Sequence, residues 1–129
     1  MATILIVDDE AAICSIFERT LRNCGHTIYT ATNGLHALAI LKRQPIDLLL
    51  TDLAMPEMDG AELISWVCQS AQPPDIVIIT ADLITYHTNP VLACANCILD
   101  KPLSLTRLKE VVHAVLPCPT ASLQQRALI

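Results

Sequence analysis

No apolar run in this 129-residue chain approaches the roughly 18 residues that a membrane-spanning helix requires. The start, Met1-Ala2-Thr3, has no basic segment ahead of a long apolar stretch. It does not read as a signal peptide but as a native N-terminus, so a cytoplasmic location with no membrane partner is expected. Basic residues are few, with eight Lys and Arg against thirteen Asp and Glu, for a net charge of −5. They are scattered and form no stripe, which argues against direct nucleic-acid binding. Cys94 and Cys97 make a C-x-x-C, but no second C-x-x-C and no H-x₃-H supplies the other half of a zinc site. All six cysteines (Cys14, Cys24, Cys68, Cys94, Cys97 and Cys118) are therefore read as reduced, mostly buried small residues. His26, His36, His87 and His113 have no spacing that suggests a Ser-His-Asp or Cys-His set, and are read as surface or packing residues. Internal repeats and low-complexity tracts are also missing.

Apolar residues, by contrast, make up 53% of the chain. With no membrane to enter, they must go inward, which favours a sheet covered on both faces, whose strands are apolar throughout. Five short runs fit such strands: Ile4–Val7, His26–Ala31, Ile46–Leu50, Ile76–Ile79 and Cys97–Leu99. Helical patterns lie between them. The first carries Ile13, Ile16, Phe17, Leu21 and Cys24 and stops at Gly25. A second, marked by Leu35, Leu38 and Ala39, ends at Pro45. The third opens on a capping box at Asp59–Glu62 and buries Leu63, Ile64 and Val67. A further helix starts at Ser104 and repeats Leu105, Leu108, Val112 and Val115. Between Leu83 and Ala93, Thr85, Thr88, Asn89 and Pro90 predict a short or broken element, since proline inside a helix costs about 3 kcal/mol. The order is (βα)₅, an α/β chain with a parallel sheet and helices on both faces.

What ends each apolar run carries the functional information. The first runs into Asp8-Asp9-Glu10, the third into Thr51-Asp52, the fourth into Thr80 and the fifth into Asp100-Lys101-Pro102. Ligands of open parallel sheets bind beyond the carboxyl ends of the strands, so these groups predict a polar pocket at one sheet edge. Clustered aspartates repel one another unless a cation neutralises them, and Mg²⁺ takes oxygen ligands from one or two carboxylates plus a phosphate. A carboxylate is also a nucleophile toward phosphorus. Lys101 offers a point charge and Thr80 a hydroxyl to phosphoryl oxygens. Asp59 is read as a helix cap instead.

With these residues in this order, the sequence resembles the receiver domain of bacterial-type response regulators. The resemblance rests on Ile4–Glu10, Thr51–Gly60, Thr80-Ala81 and Lys101-Pro102, and covers residues 1–116; residues 117–129 are read as a C-terminal tail or linker. It implies a flavodoxin-like doubly wound parallel sheet in the strand order 2-1-3-4-5, with Asp52 as phosphoacceptor. Asp9 and Asp52 would ligate Mg²⁺ through carboxylates and Ala54 through its carbonyl, with Asp8 helping through a metal-bound water. Thr80 and Lys101 would engage the phosphoryl group, across a cis Lys101–Pro102 bond. The implied partners are a histidine kinase or phosphotransfer protein upstream and an effector domain or protein downstream. Catalysis beyond the domain's own phosphorylation and dephosphorylation is not implied. The family usually has an aromatic where this chain has Ile98 and often Gly-Ala where it has Cys94-Ala95, so a specialised switch surface is expected. Asp82 falls where the family borders the phosphoryl group. A degenerate receiver, binding partners without phosphorylation, is the competing reading. A flavodoxin would need a Ser/Thr/Gly-rich loop after the first strand, and a haloacid-dehalogenase phosphatase a D-x-D there; neither is present.

Overall fold

The computed structural model describes residues 2–116; the tail from residue 117, and Cys118 with it, lies outside the described residues. Five strands form one parallel sheet: β1 (Thr3–Val7), β2 (Thr27–Ala31), β3 (Leu48–Thr51), β4 (Asp75–Thr80) and β5 (Cys97–Asp100). Their spatial order is β2-β1-β3-β4-β5, every neighbouring pair parallel. This is the predicted doubly wound topology.

Side chains alternate across the sheet, and both faces are covered. Ile4, Ile6, Leu48, Leu50, Val77, Ile79 and Leu99 face one layer, made by α1 (Ala11–Asn23) and α5 (Leu105–Val115). Leu5, Val7, Leu49, Ile76 and Ile78 face the other, where α2 (Gly34–Arg43) and α3 (Gly60–Cys68) pack. The starts of α2, α3 and α5 are capped by side chains. Asn33 accepts from His36 N at 2.7 Å, Asp59 from Glu62 N at 2.9 Å and Ser104 from Arg107 N at 3.1 Å. After α1, Gly25 takes φ 96°, which gives the helix its stop.

The region around Pro90 divides as expected. A single turn, α4 (Leu83–Tyr86), is followed by a 3-10 helix at Pro90–Cys94, with the proline in its first turn, where no backbone donor is missed. Other expectations need correction. Strand β3 begins at Leu48 and not at Ile46, because Asp47 turns the chain: its carboxylate accepts from Thr3 N at 2.8 Å. Ile16 (49% exposed) and Leu35 (52%) face outward. In α1 the inward face is Cys14, Phe17 and Leu21, and in α2 it is Gly34, Ala37 and Ile40. Close approach decides α2, since Gly34 N donates to Met58 O at 3.2 Å and a Cβ on Gly34 would lie 2.5 Å from that oxygen.

Cys94 and Cys97 serve different surroundings. Cys97 packs against the α1/α5 layer, while exposed Cys94 neighbours Cys68 at the end of α3. Burial first, and the Cys94 thiol second, push Cys68 up to about 11.

His26 precedes β2. Its Nδ1 accepts from Ala2 N at 3.2 Å, its Nε2 has no partner among the described residues, and its ring centroid lies 5.8 Å from that of His113. Burial, then the neighbouring His113, hold its pKa below the usual histidine value. A depressed folded pKa gives stability that is present above the unfolded value, about 6.5, and lost as pH falls through the folded one. The urea midpoint should therefore drop on acidification below about pH 6.5, and His26→Gln should flatten that slope.

Candidate functional site

The register of the sheet assembles the site. Val7 pairs with Thr51, so Asp8 and Asp52 emerge at the same level from adjacent strands. Asp52 N then donates to Val7 O at 3.0 Å, and Lys101 N to Thr80 O at 3.1 Å. Asp8 and Asp52 are buried, Asp9 is exposed, and oxygens of the three carboxylates lie within 4.8 Å of one another. Lys101 reaches over from the end of β5. Its Nζ is 2.7 Å from Asp8 Oδ2 and 2.8 Å from Asp52 Oδ2. The Lys101–Pro102 bond is cis.

The second oxygens of Asp8 and Asp52 are also held. Asp52 Oδ1 accepts from Leu53 N at 2.7 Å, and Asp8 Oδ1 from Glu10 N at 2.9 Å. Cys14 Sγ donates to Asp8 O at 3.3 Å, and burial first, then the Asp8 charge, push that thiol up to about 11. Thr80 is completely buried and its Oγ1 accepts from Asp82 N at 3.1 Å. No hydrogen bond joins Thr80 to Asp52 among the described residues. Ala54 lies exposed in the loop between β3 and α3, where Glu57 takes a left-handed φ of 66°, a conformation side chains other than glycine rarely adopt. Asp59 is the cap foreseen for α3, and one oxygen of its carboxylate also accepts from Tyr86 OH at 3.1 Å.

Sequence reasoning assigned no role to Glu10, Leu53 or Tyr86. Glu10 contributes a backbone donor and a carboxylate 3.9 Å from Lys101 Nζ. The D-D-E run was the signal for it. Backbone donation by Leu53 leaves no trace in side-chain type.

The electrostatics follow from burial and pairing. Burial raises the Asp8 pKa against the lowering pull of Lys101 and Glu10 N. Burial works to lower Lys101, but its hydrogen bonds and charge contacts with Asp52 and Asp8 outweigh it, and the ammonium is held above its usual value. When ionised, three carboxylates against one ammonium leave an excess of two negative charges, so the all-oxygen donor set fits a hard divalent cation. Replacing Lys101 by Met strands two buried carboxylates and should cost about 3 kcal/mol near neutral pH. The deficit should shrink on acidification, because the folded state then takes up a proton more readily than the unfolded chain. Urea melts of both proteins across pH check this.

A parallel sheet with a carboxylate cluster, a lysine and a buried threonine at the carboxyl ends of its strands defines an open α/β domain whose polar site lies at that edge of the sheet. Residues 4–113 match the model of the response regulator receiver domain, and the chain belongs to that family. It is 34% identical over 113 residues to the response regulator protein PilR of Pseudomonas aeruginosa, covering 87% of this chain and 25% of PilR. It is 37% identical over 114 residues to the transcriptional regulatory protein ZraR of Klebsiella oxytoca, covering 88% of this chain and 26% of that one. The chain thus spans about a quarter of the length of these relatives. Among solved structures it resembles the response regulator TrrA of Thermotoga maritima in complex with Mg²⁺-BeF, with TM-score 0.81 and 30% identity, covering 90% of this chain and 100% of that one. Chemotaxis response regulator CheY4 of Vibrio cholerae gives TM-score 0.81 and 29% identity, with 90% and 99% covered. The domain is of the two-component signalling type.

Proposed function

We propose that this receiver, taken as residues 1–116, accepts a phosphoryl group on Asp52 from a histidine kinase or phosphotransfer protein in a Mg²⁺-dependent reaction. The observation that carries the reading is the convergence of Asp8, Asp9 and Asp52 oxygens within 4.8 Å, with the Lys101 ammonium on two of them. Asp9, Asp52 and the Ala54 carbonyl would hold the ion, with Asp8 in support. Mg²⁺ in such a site supplies charge neutralisation for the carboxylates and the incoming phosphoryl oxygens.

The chain's own residues do the rest. Leu53 N fixes the Asp52 carboxylate through Oδ1. An Asp52 oxygen forms the new P–O bond as the P–N bond to the donor imidazole breaks, and the imidazole leaves with the electron pair of that bond. Lys101 exchanges Asp52 Oδ2 for a phosphoryl oxygen and keeps Asp8 as its second partner. Thr80 Oγ1 accepts from Asp82 N and retains its proton to donate to the phosphoryl group. Asp82 follows Thr80 by two residues and is half-buried, and its carboxylate accepts from Thr85 Oγ1 at 2.7 Å. The modified domain signals to a downstream effector domain or protein in the cytoplasm. The scattered basic residues support no direct contact with nucleic acid, and no described helix is long and apolar enough to cross a membrane.

Acetyl phosphate with Mg²⁺ tests this. Intact mass should show one phosphoryl adduct that disappears with EDTA and that fragmentation assigns to Asp52. Absence of both the adduct and Mg²⁺ binding by calorimetry would leave the phosphorylation-independent binding module.

A further inference from the structure

The segment after β4 is lightly anchored. None of the α4 residues is buried, and Ile84 is 86% exposed. Yet α4 is tied to the site at both ends. At its start, Asp82 N donates to Thr80 Oγ1 at 3.1 Å, and Thr85 Oγ1 donates to Asp82 Oδ1 at 2.7 Å. At its end, Tyr86 OH donates to Asp59 Oδ2 at 3.1 Å.

Asp59 is not a passive acceptor. Its other oxygen caps α3, and the next residue, Gly60, donates its N–H to Leu53 O at 2.8 Å. Gly60 lies so close to Asp52 that a Cβ there would sit 1.8 Å from the Asp52 carbonyl oxygen. The Tyr86 hydroxyl is therefore fastened to a loop whose far end is the residue proposed to be modified. Tyr86 packs against the α2/α3 layer, as do Val91, Leu92, Ala95 and Ile98. Position 98, on β5, offers no hydroxyl. Tyr86 is the one tyrosine between β4 and β5.

We infer that Tyr86 is the positioning residue that couples occupancy of Asp52 to α4, through its hydrogen bond to Asp59. This rests on the phosphoacceptor reading above. Drawing the Thr80 hydroxyl toward a phosphoryl oxygen pulls on Asp82 at the start of α4 while Tyr86 keeps its end on the Asp59 loop. The helix turn reorients between a start that moves with Thr80 and an end held at Asp59. Without the Tyr86 hydroxyl that hold is lost, and α4 no longer follows the site.

Two tyrosines in the whole chain, Tyr29 and Tyr86, make the test clean. The protein is prepared with 3-fluorotyrosine, and ¹⁹F spectra are recorded with Mg²⁺ before and after beryllofluoride, whose own bound fluorine signal reports occupancy. The Tyr86→Phe protein assigns the two tyrosine signals. On occupancy the Tyr86 signal should shift while that of Tyr29 on the distant edge strand stays. Hydrogen exchange across residues 83–94 should change in the wild type by about fivefold, the factor one hydrogen bond supplies, and by less in Tyr86→Phe. Bound beryllofluoride with an unmoved Tyr86 signal, or with equal exchange responses in the two proteins, overturns the inference. Absence of a bound fluorine signal in the wild type overturns the phosphoacceptor reading, and this coupling with it.

Discussion

Asp52→Asn should fold normally and lose phosphoryl uptake by about 10⁴-fold, the scale on which removal of an attacking nucleophile is felt. The amide matches the carboxylate in shape, and Asp52 is only 7% exposed, so little packing changes. The amide oxygen still accepts from Leu53 N, which holds the acid at 2.7 Å. Its NH₂ group then faces Lys101 Nζ, donor against donor, where the acid accepted at 2.8 Å. Lys101 keeps its bond to Asp8 at 2.7 Å, so the pocket retains one ion pair. An amide offers no nucleophilic oxygen comparable with a carboxylate, and the pocket loses one of the negative charges that favour a divalent cation. Mg²⁺ affinity should therefore fall by about tenfold, a modest fraction of what a nearby unit charge is worth at intermediate dielectric. Intact mass after acetyl phosphate treatment and calorimetric Mg²⁺ titration measure the two losses separately. Glu57→Gln, an exposed carboxylate in the adjoining loop, should leave both unchanged. Equal labelling of Asp52→Asn and wild type would move the acceptor elsewhere.

The layout behind this prediction was legible in the sequence because parallel strands are in register. Each apolar run ends in a polar group, and the pairing of Val7 with Thr51 and of Thr80 with Asp100 places those ends along one edge. Asp8, Asp52, Thr80 and Lys101 follow from run ends alone. The cis bond at Pro102 came only with the family resemblance, since nothing in residue type distinguishes the two isomers there.

Helix faces were harder to read. In α2 the spacing of large apolar residues pointed to Leu35, whereas the inward positions belong to Gly34 and Ala37, because the helix approaches the Met58 loop too closely for a long side chain. Size overruled hydrophobicity. The Tyr86–Asp59 bond was also hidden. It joins residues 27 apart through a turn that Pro90 and the neighbouring threonines marked as weak, and a hydroxyl on a short helix shows no periodicity. Backbone donors such as Leu53 N and Glu10 N are invisible to any reading of side chains, yet they fix two of the three carboxylates.

Gly60→Ala should be as damaging as the loss of Lys101. The added methyl would lie 1.8 Å from Asp52 O and 2.8 Å from both Asp52 C and Leu53 Cα. All three are backbone atoms, so no rotamer change relieves the clash. Gly60 has no positive φ among the described backbone angles, so the demand is for space and not for conformational freedom. Relief requires α3 to withdraw from β3, which breaks the Gly60 N bond to Leu53 O at 2.8 Å and disturbs the Asp59 cap. The alternative is for the backbone at Asp52 to move. Overpacking of this kind costs about 3 kcal/mol. Movement at Asp52 displaces its carboxylate from Lys101, so the urea midpoint and the Mg²⁺ affinity should fall together. Gly34→Ala provides the contrast. Its Cβ would meet Met58 O at 2.5 Å, but its other close neighbours are the Met58 side chain, and its own contacts lead to α2 and not to Asp52. It should lose stability with Mg²⁺ affinity nearly intact. If Gly60→Ala instead lowered stability alone, α3 would be absorbing the methyl by itself, and the close approach of Gly60 would not be what holds Asp52 in place.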